Sequence, residues 1–206
     1  FTFMIAIDEM ARIDASHSIT IAAPTTLGTS PIVNSGTHAQ REAYVPLLAS
    51  GRVLGGFGLT EPGAGSDAGG TRTTAVRKGD RYLLNGTKRF ITHGGVGEIF
   101  IVTAVTTPGV GTKGISSFIL TKHTCDLVGA AAAGVGHEAS IVAMPGFRSG
   151  KKEDKLGWRA SDTRELILED VEVPAGNLLG IEGQGFANFM MTLDSGRIGV
   201  AALSVG

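Results

Sequence analysis

Residues 57–67 read Phe57-Gly58-Leu59-Thr60-Glu61-Pro62-Gly63-Ala64-Gly65-Ser66-Asp67 and continue an apolar run that begins at Val53. The pattern is a β-type run followed by a tight turn. Gly63 and Gly65 permit a backbone whose N–H groups face one point, while Thr60 and Ser66 add hydroxyl donors. Such a loop can hold a phosphate or the polar edge of a cofactor. By spacing alone an ordinary Pro-Gly turn is the commoner explanation. The stretch is neither the Walker pattern nor a dinucleotide fingerprint opening a helix, so the usual nucleotide-binding folds gain no support.

Upstream of this loop the chain reads as helical. Phe3, Ile7, Met10 and Ile13 recur at helical spacing with Asp8, Glu9 and Arg12 on the other side, predicting an amphipathic helix to about Ile13. A second, Ala-rich apolar stretch covers 18–27. Thr37-His38-Ala39-Gln40 has capping-box spacing and predicts a helix running to Ser50 and stopping at Gly51, with a kink at Pro46.

Downstream the texture changes to short β-type runs at 53–59, 71–77, 82–84, 89–92, 99–105, 115–120 and 166–173, separated by Gly, Asn and Asp. Asn85-Gly86 predicts a type I′ hairpin turn, because both residues tolerate positive φ. Leu166, Leu168, Val171 and Val173 break strict alternation, which predicts a bulge near Glu169-Asp170. A small-residue stretch at 129–136 reads as part of a surface excursion from about His123 to Val142. Phe186, Met190, Leu193, Ile198 and Ala201 predict a final helix. The fold class is therefore α+β. The order helix, β, helix makes the region at 53–180 a central β domain between helical segments at 1–52 and 181–206.

Composition narrows the function. Hydrophobic residues make up 42% and charged residues 18% of 206, which is ordinary for a folded soluble protein. A net charge of −1 supplies no basic field for nucleic acid or an anionic membrane. The single Cys125 excludes an intrachain disulfide and a thiolate metal site. No run reaches the roughly 18 to 20 apolar residues of a membrane-spanning helix. The 31 glycines, about twice the usual share, point to tight turns and close backbone approaches.

At this point the sequence resembles the acyl-CoA dehydrogenase family. The resemblance rests on 57–67, on Asn85-Gly86-Thr87-Lys88-Arg89-Phe90-Ile91-Thr92, and on Gly150-Lys151-Lys152-Glu153-Asp154-Lys155-Leu156-Gly157 with Ser161-Asp162-Thr163. Gly183-Gln184-Gly185-Phe186 and Leu193-Asp194-Ser195-Gly196-Arg197 complete it in the right order. The resemblance implies that Phe57, Leu59, Thr60, Gly65, Ser66, Phe90, Ile91 and Thr92 bind FAD, with Thr60 at the pyrimidine edge and the Thr92 hydroxyl near N5. It implies that Ser66, Asp194, Ser195, Gly196 and Arg197 contact the acyl-CoA substrate. It also implies a central antiparallel, barrel-like β domain at 53–180 between the end of an N-terminal helical domain at 1–52 and the start of a C-terminal one at 181–206.

The implied reaction is α,β-dehydrogenation of a short- to medium-chain acyl-CoA thioester, with electrons passed to an electron-transferring flavoprotein. Relatives are typically homotetramers of the bacterial cytoplasm or mitochondrial matrix. No metal site, nucleic-acid contact or membrane insertion is expected. The family's catalytic Glu is expected beyond Gly206, because Gly196 occupies its minority position and has no side chain. Two other uses of the same fold stay open: a non-catalytic flavin-binding assembly protein, and a flavin oxidase or monooxygenase. The missing base would mark the first, and rapid reoxidation by air the second.

The sequence departs from the family pattern at Phe90, where Trp is common, and at His93, where Asn is usual; the 123–142 excursion is longer than usual. His93 is read as a packing or solvated residue. The 151–155 charge run is read as a solvated turn. Without the resemblance, Asp194 and Arg197 are a surface ion pair.

Overall fold

A computed structural model of the chain describes residues 1–123 and 142–206. The excursion expected between about His123 and Val142 lies, apart from its ends, outside the described residues.

The helical part opens with α1, Thr2–Ala23, which contains a break at Asp14 (φ −157°, ψ 106°). The two predicted apolar stretches are thus two helical pieces of one element. The Asp14 carboxylate accepts from Ser16 N at 2.7 Å and starts the second piece as an N-cap would. Pro24–Thr29 forms a π-helical turn, followed by α2 at Ser30–Ser35 and α3 at His38–Ala49. The capping box forms: Gln40 N donates to Thr37 Oγ1 at 3.2 Å, and Thr37 N donates to Gln40 Oε1 at 2.9 Å. Gln40 Nε2 also donates to the carbonyls of Gly176 and Leu178, so the cap ties α3 to the sheet. The helix ends where expected, with Gly51 at φ +71°.

The strands are β1 Gly55–Gly58, β2 Thr74–Lys78, β3 Arg81–Thr92, β4 Ile99–Val105, β5 Ile115–Thr121, β6 Phe147–Ser149, β7 Thr163–Pro174 and β8 Leu178–Leu179. They form one sheet in the order β6-β7-β3-β2-β4-β5-β8, with β1 paired to β4. The final helix, α4, spans Gly185–Val205.

Two details of the sequence expectation need correction. First, the sheet is mixed and open. β1 runs parallel to β4, β2 meets β4 in parallel at Thr74↔Val105, and the short edge strands β6 and β8 do not pair to close a barrel. One edge of β4 is shared by β1 and β2, an arrangement that local periodicity does not reveal.

Second, Asn85-Gly86 is no hairpin turn. β3 runs straight through it, and β2 turns into β3 at Gly79-Asp80, where Gly79 has φ +62°. A side chain is excluded at Gly86 because a Cβ there would lie 2.4 Å from Thr73 Oγ1. Asn85 opposes the bulge expected at Glu169-Asp170, where Asp170 has φ +52°. A second irregularity sets Arg89 and Phe90 opposite Glu165 and restores the original register.

The core lies on both faces of the sheet. Phe100, Val102 and Ala104 of β4 pack with Leu84, Phe118, Leu166, Leu168 and Val171 between the two halves of the sheet. Ile99 and Ile101 point the other way and pack with Ile119, Leu179, Ile32 and Phe189 under the helices. β4 is buried on both faces, which is why it reads as a nearly continuous apolar run, interrupted by Thr103. A third cluster, Ile7, Ile19, Ala22 and Leu203, joins α1 to α4. The π-helical turn approaches β1 closely at Gly28, where a Cβ would sit 2.8 Å from Gly55 Cα. Two facing glycines let the π-helical turn lie on β1.

Candidate functional site

The site begins at the end of β1. Leu59 and Thr60 follow Gly58, and the chain then turns tightly, with Glu61 N donating to Ala64 O at 3.0 Å and Ala64 N to Glu61 O at 3.2 Å. Arg89 N donates to Thr60 O at 2.7 Å, which fixes residues 59–61 beside the last third of β3.

There the irregularity at Arg89-Phe90 puts Phe90 at φ +58°, a conformation unfavourable for an aromatic L-residue. Its ring is turned out and 58% exposed, with the Arg89 guanidinium 5.1 Å from the ring centre. A strained backbone that presents an aromatic face instead of burying it is characteristic of a binding position.

The segment after Thr92 is anchored by Asp162. His93 N donates to Asp162 O at 2.8 Å, Gly95 N to Asp162 Oδ2 at 2.6 Å, and Arg164 Nε to Asp162 Oδ1 at 2.9 Å. Burial would raise this carboxyl, but Arg164 and the Gly95 N–H outweigh it and hold the group below the usual carboxylate range. The sequence motif Ser161-Asp162-Thr163 therefore supports the 90–95 segment from below. His93 itself is buried, with Nδ1 3.1 Å from Gly55 O and Nε2 without a partner among the described residues. Burial pushes its imidazole below the ordinary value, against the opposing effects of the Gly55 carbonyl and the Asp162 charge.

These elements enclose a cavity of about 190 Å³ lined by Phe57, Leu59, Thr60, Phe90, Ile91 and Thr92, with Leu193 of α4 closing one side. Ala23, Leu27 and Leu193 also line a second, mainly apolar cavity of about 280 Å³, completed by Ile19, Ala22, Thr26, Gly196, Arg197 and Val200. The first combines apolar faces with the hydroxyl-bearing side chains of Thr60 and Thr92. This chemistry fits a flat ring with a polar edge.

Of the sequence-derived site residues, Phe57, Leu59, Thr60, Phe90, Ile91 and Thr92 share the first cavity, while Gly196 and Arg197 line the second. Gly65 and Ser66 lie past the turn on the exposed side. Asp194 is outside the lining and pairs with Arg197 at 3.7 Å, both side chains being 73% exposed. The Ser195 hydroxyl donates to Met191 O at 3.3 Å within its own helix. Phe57 also stacks on Phe189 with centroids 4.1 Å apart, so it is a core residue as well as a wall. In the 151–155 run, Lys155 turns inward and donates to Ser161 O and Thr163 Oγ1, both at 2.7 Å.

Sequence reasoning missed Lys88 and Glu61. Their side chains form an ion pair at 2.7 Å and are 0% and 5% exposed. The sequence places Glu61 only in a turn, and Lys88 only in the 85–92 motif, between the β-type runs at 82–84 and 89–92. Only the packing of the loop on β3 and β4 shows that they meet. The contributions of Ala23, Leu27 and Leu193 were also missed, because a helical pattern does not say which cavity its apolar face lines.

The chain matches the acyl-CoA dehydrogenase N-terminal domain over residues 1–52 and the acyl-CoA dehydrogenase middle domain over residues 56–171. It belongs to the acyl-CoA dehydrogenase family. Among its relatives, a short-chain-specific acyl-CoA dehydrogenase of Megasphaera elsdenii is 46% identical over 206 residues, covering 100% of this chain and 49% of the relative. The three-dimensional structure of butyryl-CoA dehydrogenase from Megasphaera elsdenii superposes with a TM-score of 0.85 at 47% identity, over 97% of this chain and 47% of that one. An acyl-CoA dehydrogenase complexed with FAD from Bacillus anthracis superposes with a TM-score of 0.79 at 34% identity, over 97% of this chain and 31% of that one. The chain thus spans about half the length, 49%, of the curated relatives it matches.

Proposed function

We propose that this chain supplies the flavin pocket and part of the thioester pocket of an FAD-dependent acyl-CoA dehydrogenase acting on short- to medium-chain substrates. The carrying observation is the pair of adjoining cavities. One is walled by Phe57, Leu59, Thr60, Phe90, Ile91 and Thr92, and it shares Ala23, Leu27 and Leu193 with the apolar second cavity. The names of the relatives support the same reaction class.

In this reading the first cavity takes the isoalloxazine ring. Bound there, FAD would supply the acceptor for the β hydrogen of the thioester, which leaves as hydride. Phe90 and Ile91 cover the ring, Thr60 donates to its polar edge, and the Thr92 hydroxyl stabilises the negative charge that develops during transfer. Gly65 and Ser66 face the cofactor phosphates from the turn. The second cavity receives the acyl and thioester portion, with Gly196 and Arg197 at its wall and Asp194 and Ser195 beside it on α4.

Glu61 is not available as a base for the α proton. Its carboxylate accepts from Arg72 N, Thr73 N and Lys88 Nζ at 2.7, 3.0 and 2.7 Å. We assign an electron-transferring flavoprotein as electron acceptor, a homotetramer as the assembly, and the bacterial cytoplasm or mitochondrial matrix as location; no helix among the described residues is long and apolar enough to cross a membrane.

The reading is tested by purifying the intact protein and adding butyryl-CoA without oxygen. Yellow protein that bleaches supports it. Protein that carries no flavin, or flavin that butyryl-CoA and hexanoyl-CoA both leave oxidised, rejects it.

A further inference from the structure

The buried pair Lys88–Glu61 sits where the two halves of the flavin cavity are joined. Lys88 Nζ has three acceptors: Glu61 Oε1 at 2.7 Å, Thr103 Oγ1 at 2.9 Å and Leu59 O at 3.3 Å. Every ammonium proton is therefore used. The Glu61 carboxylate in turn holds the N–H groups of Arg72 and Thr73. One residue further along, Arg89 N holds Thr60 O at 2.7 Å. The loop that carries Leu59 and Thr60 is thus fastened to β3, to β4 through Thr103, and to the segment entering β2. The fastening on β3 lies directly before Phe90, Ile91 and Thr92.

A fastening of this kind does not follow from the needs of stability. Taking an ammonium and a carboxylate out of water costs several kcal/mol per ion, and replacing such pairs by apolar groups is often neutral or stabilising. What the pair supplies is direction: three fixed acceptors around one nitrogen define where the loop lies, whereas apolar contact would allow it to slide. Burial pushes the Lys88 ammonium down to about 8, and the Glu61 charge and hydrogen bond oppose that shift. Burial alone would raise the Glu61 carboxyl, but Lys88, with the Thr73 and Arg72 contacts, holds it below the usual range.

We propose that Lys88 and Glu61 are positioning residues that set Leu59 and Thr60 against Phe90–Thr92, and so preorganise the flavin cavity without touching the cofactor. This rests on the assignment of that cavity to flavin.

The test is the double variant Lys88→Met/Glu61→Gln in the intact protein, compared with wild type after removal and return of FAD. Near-UV circular dichroism of the apoprotein reports the fold. Quenching of flavin fluorescence gives affinity, and the bound-flavin absorption spectrum reports the ring's surroundings. The expected result is a native-like apoprotein spectrum with FAD bound roughly tenfold or more weakly, and with an altered visible spectrum. Wild-type affinity and spectrum in a folded double variant overturn the proposal. If the double variant does not fold, Thr103→Val decides. It keeps the buried volume while removing one acceptor of Lys88, so weaker FAD binding supports the role and unchanged binding overturns it. Failure of the wild-type protein to bind FAD would reject the cavity assignment instead, a result that these variants do not produce.

Discussion

Asn85 holds Asp170 from both ends across the sheet: its Nδ2 donates to Asp170 Oδ1 at 2.9 Å, and its Oδ1 accepts from Asp170 N at 2.9 Å. Asp170 is the residue at φ +52° in the β7 bulge. One side chain therefore replaces the ladder bonds that the bulge removes. This bulge and the opposite one at Arg89-Phe90 leave the two ends of β3 and β7 in the same register, with Arg81↔Pro174 and Thr92↔Thr163.

Asn85→Ala removes both bonds and leaves the Asp170 N–H to water. Because the contact is exposed, the expected loss is about 1 kcal/mol of unfolding free energy. Asn85→Asp should cost a similar amount, since it loses the amide donor and places a second carboxylate beside Asp170. Urea denaturation of the three proteins checks this; a midpoint unchanged in Asn85→Ala would mean that the bulge needs no side-chain support.

The same residues show where sequence and structure part. Asn85-Gly86 reads as a hairpin because both residues tolerate positive φ, yet a bulge uses the same tolerance. Which use applies depends on what lies opposite, and residues 169–170 are far away in sequence. The capping box at Thr37 and Gln40 was legible because its partners are three residues apart. The long runs of β4 and β5 were legible because burial on both faces leaves them without charges and mainly apolar. The open, mixed sheet was not, since the sharing of one β4 edge by β1 and β2 is a tertiary choice. In the candidate site, the pocket-lining residues near 57–60 and 90–92 came from motif resemblance. The ion pair beneath them did not, because neither charge carries a local sign of burial.

Gly28→Ala should destabilise the fold although Gly to Ala usually favours a helix by about 1 kcal/mol. The added methyl would sit 2.8 Å from Gly55 Cα and 2.9 Å from Gly55 C, both backbone atoms that no rotamer change can move. Overpacking of about 1 to 3 kcal/mol outweighs the propensity gain. Thermal unfolding of the apoprotein would show the sign, and a raised midpoint would mean that the helical layer can shift off β1.

Thr92→Ala tests the proposed role at the flavin. The hydroxyl acts on charge that develops only during hydride transfer, so flavin reduction by butyryl-CoA should slow about tenfold or more. Substrate affinity should change much less. Rapid mixing over a range of substrate concentrations separates the two quantities. A variant that binds weakly but reduces at the wild-type rate would move Thr92 from transition-state contact to ground-state binding.

His93 should make stability depend on pH between neutrality and mild acid. In the fold its imidazole is buried, has one partner in the Gly55 carbonyl, and lies near the Asp162 charge; burial dominates and lowers its pKa from the ordinary 6.5. The sign follows from linkage. As pH falls through 6.5 the unfolded chain takes up a proton that the native state still resists, so unfolding becomes easier. Stability is complete above 6.5, declines by up to about 1.4 kcal/mol per unit as pH falls towards the lower native value, and stops declining from this source below it. His93→Asn should flatten that part of the profile. The amide can still donate to Gly55 O, it does not titrate, and Asn tolerates the φ of +63° found there. Urea unfolding of wild type and variant at pH 7.5, 6.5 and 5.5 gives the comparison. Equal slopes in the two proteins would show that another group, and not the buried imidazole, sets the acid sensitivity.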